Sequence, residues 1–241
     1  MKKVFLIGIV SLLIFSCSQD STDNVSKVTH YPELTLLGDD IIYVQKGGVF
    51  NDPGIIAMEG ENEIPYTTTI SGDYQGGDSV DTNVIDVYHI TYSAVNQDGF
   101  SGSVSRTVIV YEDSDLVNSI SGLYTSTVVR NGVSKPQYTD MKYVLVWKNT
   151  DGTYQISDGI GGYYNIGRSY GVGYAAGPVI ITANDISTNN YAPIPSFGVG
   201  AFGGVATMNG LTANPANNTL SFTTSWDAGY TFVATMTKVV L

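Results

Sequence analysis

The chain has 241 residues, 22 of them acidic and 11 basic, for a formal charge of −11. A surface this acidic offers no basic patch to grip phosphates, which excludes nucleic acid as a partner. One cysteine in the whole chain excludes an internal disulfide framework, so the fold must rest on burial, and the dominance of Tyr, Thr, Val, Ile and Gly over Leu, Lys and Glu is β composition.

Lys2 and Lys3 open the chain, followed by an apolar run from Val4 to Ile14 broken only by Gly8 and Ser11, and then by Ile14-Phe15-Ser16-Cys17. A basic start, a short apolar core and a small residue before a cut are the parts of a secretory signal. The run is shorter than the ~20 apolar residues of a membrane-spanning helix. The only cysteine follows the small Ser16, and the stretch resembles a lipoprotein signal of the Bacteroidetes type. That resemblance implies a signal peptide over 1–16, a diacylglycerol on Cys17 and a chain held to the membrane through that lipid. The alternative is an ordinary cleaved signal in which Cys17 is incidental. Ser18-Gln19-Asp20 resembles the signals that send such lipoproteins to the outer cell surface, so the expected location is the outer membrane, facing the exterior. Loss of Lys2 and Lys3 leaves nine basic against 22 acidic residues, a charge of −13. Residues 17–30 lack apolar mass and read as a flexible tether.

From Tyr31 short strands alternate with turns. Glu33–Leu37 and Ile41–Gln45 are strand candidates, Asn51-Asp52-Pro53-Gly54 is a strong turn signal, and Tyr66–Ser71 alternates. Val87–Val95 and Ser103–Tyr111, joined across Asn96–Gly99, read as a long hairpin. Six or seven strands in about 80 residues suggest an immunoglobulin-like sandwich. Gly48-Val49-Phe50-Asn51-Asp52-Pro53-Gly54-Ile55-Ile56-Ala57 and Tyr88-His89-Ile90-Thr91-Tyr92-Ser93-Ala94, followed by Asp98-Gly99 and Arg106-Thr107-Val108, resemble the Ig-like domains of bacterial surface proteins. The resemblance covers about residues 32–112 and implies a fold more than a function, since such domains serve as spacers, adhesins and carbohydrate-binding accessories. The predicted domain is 31–113, ended by the acidic break Glu112-Asp113-Ser114-Asp115, where a small contact with the next domain is expected.

The second domain is predicted over 117–241. Gly122–Arg130 alternates, Asn131-Gly132 turns, and Tyr138–Lys148, Thr153–Ser157, Pro178–Ala183, Leu220–Ser225 and Tyr230–Val240 are further strands. Lys238 breaks the apolar face of the last one, where solvent is expected. The expected fold class is all-β: an Ig-like β-sandwich followed by a second antiparallel β-sandwich or a small lipocalin-like barrel. Asp158–Ala175 and Trp226–Phe232 resemble the C-terminal module of Bacteroidetes lipoproteins of uncharacterised function, of the kind found in polysaccharide-utilisation systems. The resemblance implies a polysaccharide or an outer-membrane importer complex as partner.

The chemistry-bearing residues are few. Two histidines, His30 in the tether and His89 mid-strand, exclude a His triad or a zinc site in the second domain. No nucleophile elbow, calcium loop or phosphate loop is present. A glycosidase carboxylate pair has no local signature, and beyond the turn residue Asp151 the second domain offers only Asp140, Asp158, Asp185 and Asp227. No catalytic residue, metal or cofactor is predicted. The best ligand-binding candidates are the rings Trp147, Tyr163, Tyr164, Tyr170, Tyr174 and Trp226 with Asp158, Asn165, Arg168 and Asp227. Sugars stack on flat rings, and the interleaved glycines admit a close approach. Against this, Tyr and Trp in β domains commonly pack inward with only the polar tip at the edge. A non-catalytic glycan-binding accessory is therefore expected, and an adhesion or structural lipoprotein binding another protein is the alternative.

Overall fold

Alternation of apolar residues sets the strand faces throughout. The computed structural model describes residues 28–241; the expected signal peptide, Cys17 and tether residues 17–27 lie outside them. The Ig-like strands are β1 (Pro32–Leu36), β2 (Ile41–Gln45), β3 (Ile55–Glu59), β4 (Asn62–Glu63), β5 (Tyr66–Gly72), β6 (Val87–Val95) and β7 (Ser101–Tyr111). They form a three-stranded sheet β1-β3-β4 and a four-stranded sheet β2-β7-β6-β5, with β2 running parallel to β7. Tyr88, Ile90, Tyr92 and Ala94, every second residue of β6, meet Ile55 and Ala57 of the facing sheet together with Val44, Val108 and Val110.

The second half contains β8 (Gly122–Arg130), β9 (Met141–Lys148), β10 (Tyr154–Ile156), β11 (Ala176–Gly177), β12 (Val179–Ile181), β13 (Ala183–Asp185), β14 (Asn190–Tyr191), β15 (Phe197–Val199), β16 (Gly203–Asn214), β17 (Thr219–Trp226) and β18 (Tyr230–Lys238). Nine of them make one sheet in the order β11-β15-β16-β17-β18-β8-β9-β10-β12. Its two edge strands, β11 and β12, are separated in the chain by Pro178 alone. The sheet therefore curls until its edges meet at that residue, and the all-β expectation resolves to a nearly closed barrel.

The barrel is filled by its own chain. Asp158–Tyr164 is buried throughout, and the Thr224 hydroxyl of β17 donates to the Gly159 carbonyl at 2.5 Å. A Cβ on Gly159 would stand 2.6 Å from Phe197 and Val179, and one on Gly161 would stand 2.8 Å from Ser126 and Val128. The glycines of this stretch let the barrel wall, and not a ligand, approach the backbone. Ile160, Tyr163 and Tyr164 then pack with wall residues such as Val128, Phe222, Phe232 and Ala234.

Two further expectations are corrected. The halves of the chain meet across an apolar cluster of Ile85 and Ile109 with Leu123, Leu145 and Trp147, well beyond a contact at Glu112–Leu116. The signal is Val144-Leu145-Val146-Trp147, four consecutive apolar residues, as a strand buried on both faces requires. Val144 and Val146 join the barrel core, while Leu145 and Trp147 join the shared cluster. Lys238 does not mark a solvated strand end: its ammonium lies 2.9 Å from the Asp113 carboxylate and also donates to the Ser114 carbonyl, tying the connection to β18.

Candidate functional site

The residues expected to form a ring platform are mostly core. Tyr163, Tyr164, Trp147 and Trp226 are at most 9% exposed and Asp158 is fully enclosed. Tyr163 stacks on Tyr138 with centroids 3.9 Å apart, and Tyr164 meets Trp226 edge-on at 6.2 Å. Trp147 donates its indole N–H to Asn149 at 3.1 Å. Tyr164, Trp226 and Asp158 are enclosed in the barrel and Trp147 in the cluster shared with the Ig-like half, so none of them offers an open face to a ligand. Tyr163 is a core ring as well, and also borders a small pocket beside Arg130. Asp158 accepts from the Ile160 N–H at 2.9 Å, and burial pushes its carboxyl up to about 7. The others reach the surface. Tyr170 is exposed, Arg168 and Tyr174 are half-buried, and exposed Asp227 accepts from the Val205 N–H at 2.9 Å. Exposed Phe202 joins Tyr170 and Tyr174 at 6.3 and 5.0 Å.

A concave site of different composition lies between the two halves. The outer face of the four-stranded Ig-like sheet carries two cross-strand rows. Register places Ile41 beside Thr107 and Tyr43 beside Ile109, then Thr107 beside His89 and Ile109 beside Val87. From the barrel, β9 contributes Lys142 and Tyr143. Tyr124 pairs with Val144 and Thr125 with Lys142, so Tyr143 is the extra residue of a bulge, a device that re-aims a side chain. The tail of the barrel plug contributes Asn165 and Ile166. With Asp73 and Tyr74 these residues enclose a cleft of about 320 Å³.

The loop carrying Tyr74 is pinned by buried Asp86, which accepts from the N–H groups of Tyr74, Gln75 and Val87 at 2.7–2.8 Å. Burial raises the Asp86 carboxyl, while those hydrogen bonds oppose the shift. Across the cleft the Tyr43 and Tyr143 hydroxyls are 2.7 Å apart, and burial, with that hydrogen bond, pushes Tyr43 up to about 12. Asn165 donates to the Tyr74 hydroxyl at 3.2 Å. His89 Nε2 lies 3.2 Å from Asp73 Oδ2, and this hydrogen bond raises the imidazole above its usual 6.5 against the opposing effect of burial. Thr107 Oγ1 stands 3.5 Å from His89 Nδ1, longer than the ~2.6–3.2 Å of a base and the nucleophile it activates. Among the described residues no three His, Cys, Asp or Glu side chains gather as metal ligands.

Comparison with known proteins places both halves. The family model of a C-terminal domain matches residues 113–238, just over half of the chain. The bacterial surface protein Ig-like domain model matches residues 34–110. The crystal structure of the lipoprotein BT2262 from Bacteroides thetaiotaomicron aligns with a TM-score of 0.62 at 28% identity, over 86% of this chain and 100% of that one. The chain belongs to the family of this C-terminal domain and carries a bacterial surface Ig-like domain before it. Among curated proteins nothing matches it. The family's two matched segments both build the cleft: Tyr43, Tyr74 and His89 come from the Ig-like match, Tyr143 and Asn165 from the C-terminal one. None of Tyr43, Asp73, Tyr74 or Tyr143 stands out in the sequence as a site residue, because the cleft joins positions a hundred residues apart. The one available signal is the β2–β7–β6 outer face, where Ile41, Tyr43, Val87 and Ile109 put apolar groups on a face that an isolated sandwich would show to water.

Proposed function

We propose that this protein is a lipid-anchored protein of the outer cell surface that binds a glycan without transforming it, as an accessory to polysaccharide uptake. One observation carries the reading: three tyrosine rings, Tyr43, Tyr74 and Tyr143, border a concave cleft with Asp73, His89, Lys142 and Asn165 among its polar groups. Aromatic faces suit the C–H faces of sugars, and planar amide, carboxylate and imidazole groups suit their hydroxyls. The volume lies within the ~300–1,000 Å³ usual for ligand sites, and domain junctions are a favoured place for them. The anchor reading is supported by the Cys17 signal and by the lipoprotein relative. Unlipidated protein carrying Cys17→Ala should leave the membrane fraction, and its migration in native gels should be slowed by at least one of a panel of polysaccharides. Unretarded migration on every polysaccharide would sink the glycan reading.

A protein partner is the second reading. It is favoured by the exposed rings of Tyr170 and Phe202, 46% and 45% exposed with centroids 6.3 Å apart.

A further inference from the structure

We propose that a small cationic pocket at the β8 turn binds an oxyanion, a carboxylate or a sulfate ester, carried by an acidic sugar unit. The pocket is lined by Arg130, Asn131, Val133, Lys135 and Tyr163 and has a volume of about 180 Å³. That is below the range of whole-ligand sites and suits one charged group of a longer chain. Two cations and a phenol line it, and no carboxylate does, in a protein whose acidic residues outnumber its basic ones twofold.

Arg130 is built into this position. Its guanidinium lies 4.9 Å from the Tyr163 ring centroid and 4.8 Å from that of Tyr230, and it donates to the Tyr164 hydroxyl at 3.3 Å. Two rings and one hydrogen bond fix the plane of the fork, yet most of its five N–H donors have no acceptor among the described residues. A fork fixed in advance loses little entropy on binding an oxyanion, which makes arginine suited to carboxylate and sulfate.

The pocket floor is equally rigid. Arg130 and Val133 exchange backbone hydrogen bonds at 3.2 and 2.9 Å around Asn131-Gly132, and both turn residues have positive φ, 49° and 74°, as a type I′ hairpin turn demands. The Asn131 side chain is spent on bracing, accepting from the Thr231 N–H at 2.7 Å. Lys135 is exposed and has no ion-pair partner among the described residues. The overall negative charge does not defeat the site, because at physiological salt carboxylates farther than about 8 Å are largely screened.

The sugar in this inference rests on the glycan reading, whereas the anion site is separate from the cleft. Its test is calorimetric titration of the Cys17→Ala full chain with oligogalacturonates, with sulfated oligosaccharides, and with neutral oligosaccharides of the same length. Acidic oligosaccharides should bind more tightly than neutral ones, and the better of the two acidic series identifies the anion. Lys135→Glu, on an exposed residue that supports no packing, should weaken acidic binding by about tenfold or more with an unchanged melting temperature. Arg130→Gln should do the same at some cost in stability. Acidic oligosaccharides that fail to bind, or that bind Lys135→Glu as tightly as the parent, overturn the anion site. The neutral series, read in the same titrations, reports on the glycan reading alone.

Discussion

Arg106 Nη1 lies 2.5 Å from Asp52 Oδ1 inside the Ig-like sandwich, and the guanidinium is fully buried. The same carboxylate oxygen accepts from the Tyr92 hydroxyl at 2.6 Å, Arg106 Nε donates to the Asp39 carbonyl at 2.9 Å, and Nη2 reaches the Leu37 carbonyl. The sequence landmarks of this half, Asp52-Pro53-Gly54, Tyr92 and Arg106, are thus one network. It staples the β1–β2 and β3 connections to the long hairpin. Only the Arg106 end is fully buried, Asp52 being 32% exposed, so removing the arginine strands the Leu37 and Asp39 carbonyls and leaves a vacated volume, more than it strands a buried carboxylate. Arg106→Ala should therefore cost about 3–5 kcal/mol in urea unfolding, whereas Tyr92→Phe, losing one hydroxyl, should cost about 1 kcal/mol. Equal, small losses from both changes would show that the network is not what secures this half.

The cluster of Ile85, Ile109, Leu123, Leu145 and Trp147 joins the two halves by burial. Calorimetry should accordingly show a single cooperative transition, and Leu145→Ala should lower stability by about 2–5 kcal/mol, the cost of a large-to-small change in a core. A fragment covering 31–113 would expose Ile85 and Ile109 and should be less stable than the same residues within the whole chain. Two separated melting transitions in the full chain would contradict the coupling.

Asp158 links stability to pH. Its carboxyl is raised by burial from 3.8 to about 7, so between these values the folded state holds a proton that the unfolded state has lost. The contribution of Asp158 is highest below pH ~4, falls as pH rises towards 7 and levels off above it. The total is at most about 4 kcal/mol at 1.36 kcal/mol per unit. Asp158→Asn should flatten this slope and raise stability at pH 8, measured as urea midpoints at pH 5 and 8. An unchanged slope would mean that another group carries the linkage.

Alternation and turn chemistry made much of this fold legible. Strands β2, β6 and β8 begin and end where the apolar pattern does, and Asn131-Gly132 turns as its residue types require. β16 escaped notice because its buried positions, Ala206, Met208, Leu211 and Ala213, include two alanines and shift register between Asn209 and Thr212, which breaks the period of two. The stretch from Asp158 to Ala175 is visible as special in the sequence, but its role is not. Glycine beside tyrosine admits a close approach by anything, and what approaches Gly159 and Gly161 is the barrel wall. The cleft is marked in the sequence only by the apolar outer face of β2, β7 and β6, which does not say what covers it. Tyr43 and Tyr143 are separated by a hundred residues, and only the packing of Leu145 and Trp147 against Ile85 and Ile109 brings their hydroxyls together.

The central claim, that the inter-domain cleft and not the glycine-tyrosine plug receives the ligand, is tested most directly by the affinity of Tyr143→Ala for whichever polysaccharide the parent protein retains. Loss of one stacking ring, on the scale of about 1–3 kcal/mol known for bases on aromatic side chains, predicts affinity weakened by roughly tenfold or more. The melting temperature should fall less than for a core ring, because Tyr143 is half-buried at the edge of the shared cluster and gives up one hydrogen bond, to Tyr43. Tyr163→Ala, by contrast, should melt early, at a cost of about 3–5 kcal/mol. Parent-like affinity in Tyr143→Ala, with the fold intact, would contradict the account and move the site elsewhere.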